Sequence, residues 1–214
     1  MNPPAIAIVL AAAVFSAALS PLAARAHDEH GRAPSSATSA ETPAARSPNR
    51  LDEAVQRTYF TDTPLLTQDG RQVRFYTDLL QGKVVLISFF YTNCTDICPL
   101  LMHNLQEVQD RLGDRFGRDV FFVSISVDPE DDTPEEIGKF SRRYDAKAGW
   151  TFLTGKKEDI DRVVQKLGQY SPDFEDHSML FLLGDVKNAR WRKIKGDLPP
   201  ETVTSLVIDL LERR

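Results

Sequence analysis

Residues 83–127 read KVVLISFFYTNCTDICPLLMHNLQEVQDRLGDRFGRDVFFVSISV, and three segments within them decide the fold. Lys83 to Tyr91 and Asp119 to Val127 are β-branched and aromatic runs without polar alternation, the pattern of strands covered on both faces. Between them, Pro99 suits the first residue of a helix, and Leu101, Leu105, Val108 and Leu112 recur on one helical face. Two strands joined through a helix run parallel with a right-handed crossover, which makes a βαβ unit.

Working outward, Thr133-Pro134-Glu135-Glu136 supplies an N-cap, a proline at the first helical position and a capping-box glutamate, so a helix is expected to about Tyr144. Trp150 to Leu153 reads as a third strand, followed by a helix from Lys157 to about Leu167 that stops at Gly168. Met179 to Leu183 and Arg190 to Ile194 flank a turn and read as an antiparallel hairpin, and Pro199 to Leu211 as a closing helix. Upstream, Gln68-Asp69-Gly70-Arg71 lies between Pro64-Leu65-Leu66 and Val73-Arg74-Phe75-Tyr76, which predicts a short hairpin. The expected fold is α/β and thioredoxin-like: a mixed central sheet flanked by helices, with an N-terminal β-hairpin extension.

The N-terminus reads as a targeting segment. Ala5 to Leu19 is an apolar run, shorter than the roughly 20 residues a spanning helix needs but suited to a signal-peptide core. Ala24-Arg25-Ala26 has the small-x-small pattern of a cleavage site, which gives a signal peptide over residues 1–26 with the cut after Ala26. The stretch MNPP has no Lys or Arg, so an uncleaved anchor giving membrane association is the competing reading. Residues 27–57 read as a flexible linker, because their first two dozen residues carry no bulky apolar side chain to offset ordering entropy, and the folded domain is taken as 58–214. His27 and His30 within that linker are either a copper-chelating pair or a polar spacer.

The whole chain of 214 residues carries 26 basic and 31 acidic side chains, a net charge of −5, which gives no electrostatic footprint for nucleic acid. Without a coiled-coil or repeat pattern, a monomer is the default. Only two cysteines are present, too few for a disulfide-rich scaffold. Any thiol chemistry therefore falls to Cys94 and Cys98. They lie between a buried strand and a helix start, at the strand ends where ligands gather in open α/β sheets. Cys98 precedes Pro99, so the helix dipole is expected to favour its thiolate. Four residues of turn span about 6 Å, close enough for a disulfide or for two sulfur ligands on one ion. Three intervening residues differ from the two of thioredoxin-type redox motifs. The pair therefore reads as a redox-active couple, a soft site for Cu(I), or an inert bridge in an oxidising compartment.

His177, in the loop before Met179, is the candidate third ligand, because in a thioredoxin-like sheet that loop faces the cysteine loop. His103 is read as a solvated helix residue. Asp128 ends the second parallel strand and either orients His177 or serves the turn before Pro129. Asp96 either tunes the cysteines or caps the helix. The run Glu130-Asp131-Asp132 reads as a solvated loop.

These residues resemble the SCO/SenC family, copper chaperones of cytochrome c oxidase assembly. The features that carry the resemblance are Phe89-Phe90-Tyr91-Thr92-Asn93-Cys94-Thr95-Asp96-Ile97-Cys98-Pro99, then Ser126-Val127-Asp128-Pro129-Glu130 with Asp132-Thr133-Pro134-Glu135, then Asp176-His177-Ser178. They extend over most of residues 60 to 212. The resemblance implies one copper, Cu(I) or Cu(II), held by Cys94, Cys98 and His177. It further implies delivery of that copper to the dinuclear copper site of oxidase subunit II, or thiol reduction of that site. Another exported copper protein is an alternative client, a redox or copper sensor an alternative role, and the periplasm or the outer face of the membrane the expected location. Thr95 stands where many members have proline. Many members are also membrane-tethered, whereas this N-terminus looks cleavable.

Overall fold

The computed structural model describes residues 48–176 and 179–214. The signal segment, the linker as far as residue 47, His27, His30 and His177 lie outside the described residues. In chain order the elements are α1 (Pro48–Phe60), β1 (Pro64–Thr67), β2 (Gln72–Arg74), β3 (Val84–Phe90), α2 (Cys98–Leu112), β4 (Val120–Ser126), α3 (Pro134–Arg143), β5 (Trp150–Thr154), α4 (Lys157–Lys166), β6 (Leu180–Asp185), β7 (Arg190–Lys195) and α5 (Pro200–Glu212).

The strands form one mixed sheet in the order β2-β1-β5-β4-β3-β6-β7. The three central strands β5, β4 and β3 are parallel, β6 and β7 continue antiparallel, and the β1–β2 hairpin extends the sheet beyond β5. This is the expected thioredoxin-like arrangement with its N-terminal hairpin. All seven residues of β3 are buried, as its unbroken apolar run requires. Val84, Leu86 and Phe90 enter one core with side chains of α2, α3 and α5, while Val85, Ile87 and Phe89 enter a second with α4 and the segment before β3. Each fully buried aliphatic side chain there contributes about 1.5–3 kcal/mol relative to exposure.

Polar groups on the first face are satisfied in a chain. Ser88 and Ser124, paired across the β3–β4 ladder, hydrogen-bond at 2.7 Å, and Trp150 Nε1 donates to Ser124 Oγ at 2.8 Å. Gln109 on α2 donates to the Asp145 carbonyl and accepts from the Lys147 N–H, while Asn104 donates to the carbonyls of Gly196 and Leu198. These buried amides fix the helix that carries Cys98.

Two expectations are corrected. Residues 48–57, read as linker, belong to α1, because Gln56 and Phe60 are buried and the Tyr59 hydroxyl donates to the Lys166 carbonyl at 2.6 Å. Composition marked the boundary too late, since a helix with one packed face needs few apolar residues. The expected strand Val73 to Tyr76 stops at Arg74, and Phe75–Leu80 form a π-helical turn. Phe75, Tyr76, Leu79 and Leu80 are all buried at helical spacing, and the Asp78 carboxylate accepts from the Arg74 N–H at 2.7 Å and from its guanidinium at 2.8 Å. By contrast, α3 starts as expected, with Thr133 Oγ1 accepting from the Glu136 N–H at 3.3 Å.

Replacing Ser124 by alanine leaves the buried Trp150 indole N–H without its acceptor and the Ser88 hydroxyl without its hydrogen-bond partner. Ser124→Ala is expected to lower unfolding free energy by about 1–3 kcal/mol in urea titrations. A loss below a few tenths of a kcal/mol would show that this chain of bonds contributes nothing net.

Candidate metal centre

Both parallel strands β3 and β4 end at the same edge. β3 hands the chain to the loop Tyr91–Ile97, and α2 begins at Cys98. A buried carboxylate holds the loop. Asp132 is fully buried and accepts from the Thr92 N–H at 3.2 Å, from the Thr92 hydroxyl and, at 2.6 Å, from the Ser126 hydroxyl. It reaches this position because the Asp128-Pro129 turn folds back, with the Asp132 N–H donating to the Asp128 carbonyl at 2.9 Å and the Asp128 N–H to Ser126 Oγ at 3.1 Å. Burial raises the Asp132 carboxyl above its ordinary value, although the Ser126 and Thr92 hydrogen bonds oppose the rise. The expectation of a solvated acidic run therefore fails at its last residue. Periodicity does not register a tight turn, but a carboxylate directly before a Thr-Pro helix start was a usable signal.

Cys94 and Cys98 are buried thiols whose sulfurs hydrogen-bond to each other. Their acidities differ. Burial alone would raise Cys94, but hydrogen bonds from the Cys98 thiol, from the Cys98 and Asp96 backbone N–H groups and from the Tyr91 hydroxyl outweigh it and leave Cys94 below the ordinary thiol value. Burial, the bond it donates to Cys94 and the neighbouring negative charge push Cys98 up to about 12, although the Tyr91 backbone N–H opposes the rise. The expectation from the helix dipole is thus reversed. Cys98 has no exposed surface, and in low dielectric the desolvation penalty exceeds what a helix end returns.

Tyr91 is the second residue that the sequence did not single out. Burial and its bond to Cys94 raise its phenol above the ordinary value, with Glu175 adding negative charge. Its ring meets Phe174 edge to face at a centroid distance of 5.1 Å. The turn Phe174–Asp176 therefore lies against the cysteine loop, immediately before position 177. Asp128 lines a cavity of about 120 Å³ that also contacts Tyr170 and Phe174, and burial with its acidic neighbours raises its carboxyl. Asp96 is exposed and offers the site its backbone N–H; the helix N-cap is Ile97, so Asp96 is not the cap. His103 is exposed, beside Tyr144 and Gln106, as expected.

Among the described residues no three His, Cys, Asp or Glu side chains cluster as a metal site. What they supply is a pair of soft sulfurs in mutual contact, suited to a soft metal ion or to a disulfide.

The chain is 39% identical over 89 residues to an SCO1 protein homolog of Bacillus subtilis, a match covering 41% of this chain and 45% of that protein. The match spans less than half the length of each of the first curated relatives. Among solved structures it resembles Arabidopsis thaliana ScoI with copper bound, with a TM-score of 0.62 and 25% identity over 73% of this chain and 99% of that one. It also resembles BsSco, a member of the Sco family of cytochrome c oxidase assembly proteins in which a disulfide switch is identified, with a TM-score of 0.60 and 27% identity over 72% and 94%. The SCO1/SenC family model matches residues 53–212, a span that contains both the sheet and the cysteine loop; the chain belongs to the SCO1/SenC family.

Proposed function

We propose that this chain is an exported copper-binding chaperone. Copper is its cargo, one ion per domain, taken up by Cys94, Cys98 and His177 and passed to the dinuclear copper site of cytochrome c oxidase subunit II, or used in assembling that site. The observation that carries the reading is the pair of contacting thiols at a strand-to-helix turn. Two thiolates favour Cu(I), and an added imidazole also accommodates Cu(II). Support for His177 comes from its flanks: Phe174 packs on Tyr91, and consecutive Cα atoms are about 3.8 Å apart, so position 177 follows directly from a turn that touches the cysteine loop. The copper-bound ScoI relative supports the cargo, and the oxidase-assembly family of BsSco supports the destination. The targeting segment supports export. Asp128 is the candidate for orienting the imidazole.

The unequal thiols favour a second reading, a thiol-disulfide oxidoreductase for client cysteines, which the disulfide switch of BsSco supports. Cys94 thiolate attacks a client disulfide, one client sulfur leaves as thiolate, and Cys98, after losing its proton, displaces the second. The client gains two electrons and Cys94 and Cys98 become a disulfide, which an external dithiol reductant must reopen.

Anaerobic Cu(I) titration of the reduced chain is expected to give one equivalent, weakened by orders of magnitude in Cys94→Ala and Cys98→Ala and less in His177→Ala. Unchanged binding in all three would rule out this site. Because thiol protons must leave, affinity rises with pH.

In the reduced, metal-free chain, alkylation should be fast at one residue, Cys94, with a rate that climbs through a midpoint below that of a free thiol and then levels off. Cys98, buried and raised above the ordinary thiol value, should stay slow throughout the pH range in which Cys94 reacts. Peptide mapping that finds Cys98 labelled first would overturn the assignment.

Asp132→Ala removes the acceptor for Thr92 and Ser126 and is expected to cost about 1.5–3 kcal/mol of stability and to speed copper loss to a chelator. Asp132→Asn, which keeps one acceptor oxygen, should recover part of both. Equal copper off-rates in wild type and Asp132→Ala would show that the tie is purely structural.

A further inference from the structure

Large apolar side chains left exposed fall at the two ends of the sheet. Leu100, Phe174, Tyr170 and Met179 belong to segments around the cysteine end, whereas Val55 (66% exposed), Tyr59 (50%) and Trp191 (36%) lie together elsewhere. The second group borders a groove of about 470 Å³ between α1, the end of α4 and β7, floored by Phe60, Leu167 and Leu182. Two cationic side chains, Lys166 and Lys193, face it, and among the described residues no acidic side chain does; Arg192 borders it through its backbone, because strand alternation turns its side chain to the α5 face with Leu183 and Ile194. On a chain of net charge −5 this local excess is notable. Lys166 Nζ sits 5.5 Å from the Tyr59 ring centroid, so charge and aromatic surface are interleaved.

An apolar trough that presents Trp and Tyr among basic side chains has the chemistry of a membrane interface. The rings sit at headgroup depth and the cations meet lipid phosphates. We propose that this groove docks the domain on a bilayer containing anionic phospholipid. The complementarity of two cations, Lys166 and Lys193, with anionic headgroups, around an apolar floor open to acyl chains and without an opposing acid, is what selects this occupant.

The topology gives the docking a direction. Trp191 pairs with Gly184, which pairs with Val85 at the start of β3, while the cysteine loop follows Phe90 at its end. Lys193 pairs with Leu182, which pairs with Ile87, so the groove spans levels five to three strand residues before Phe90, roughly 10–17 Å at 3.3 Å each. The groove thus lies toward the end of the sheet away from the thiols, so a domain resting on it keeps the cysteine loop turned to the aqueous side. It requires no copper and stands independently of the cargo reading.

The test uses the full chain, whose apolar run at residues 5–19 can itself insert, so the readout is local to the groove. Trp150 is buried and Trp191 is exposed, and these are the only two tryptophans. With vesicles of mixed phosphatidylcholine and phosphatidylglycerol, Trp191 emission should shift to the blue and be quenched by brominated acyl chains. Neither change should occur with phosphatidylcholine alone or in Trp191→Phe. Neutralising Lys166→Gln and Lys193→Gln should weaken the quenching-detected affinity roughly fivefold per charge. No quenching with either vesicle, quenching indifferent to phosphatidylglycerol, or unchanged affinity in the two Gln variants would each overturn the proposal. So would a Trp191 shift produced by poly-glutamate but not by vesicles, which would assign the groove to an acidic protein partner.

Discussion

The last rung of the parallel ladder between β3 and β4 pairs Phe90 with Ser126, and the candidate centre hangs from it. Just beyond that rung the Val127 N–H donates to the Phe90 carbonyl at 2.9 Å, and Asp132 then grips Thr92 on one strand's continuation and Ser126 on the other. A single carboxylate therefore couples the register of the sheet to the path of the cysteine loop. A slip by one residue would turn β3 over, send each of its side chains into the wrong one of the two cores and separate these groups together. This is why a fully apolar strand and a polar anchor occur side by side: the first fixes the register through burial, and the second transmits that register to the chemistry.

At the thiols, two opposing effects of comparable size are settled by solvent access. A helix N-terminus stabilises an anion by at most a couple of kcal/mol, whereas excluding water from a thiolate costs more than that. Cys98 sits at the helix end and is sealed. Cys94 lies one turn earlier, collects hydrogen bonds from backbone, phenol and partner thiol, and becomes the easier of the two to ionise. When Cys94 ionises, Cys98 keeps its proton and donates it in the bond between the two sulfurs.

Much of this was visible in the residues before any coordinates. The three parallel strands, the hairpin of β6 and β7 and the capped start of α3 follow from local pattern, since burial on both faces, alternation and capping leave direct marks in the sequence. The cysteine pair was equally visible, because only two such residues exist. Less visible were features that depend on chain reversal or on distant packing. Asp132 looks like one more solvated acid until the turn at Pro129 carries it back over β4. Tyr91 looks like the last residue of a strand until its hydroxyl is found on Cys94. α1 lies in a segment whose composition suggests a linker, and only its contact with α4 and the π-helical turn explains why it folds.

The sheet has two open margins, and they differ in kind. The β1–β2 hairpin closes off β5 and leaves as its margin a strand of only three residues. The other margin, β7, is six residues long, but Arg190, Arg192, Lys193 and Lys195 occupy four of its positions. Unpaired backbone on a margin invites a neighbouring chain to continue the sheet, and brevity on one side with like charge on the other discourages it. Under the proposed function, with two cysteines kept reduced or metal-loaded in an oxidising compartment, this is an advantage. By resisting strand-to-strand polymerisation the molecule also keeps its thiols from being carried into intermolecular disulfides.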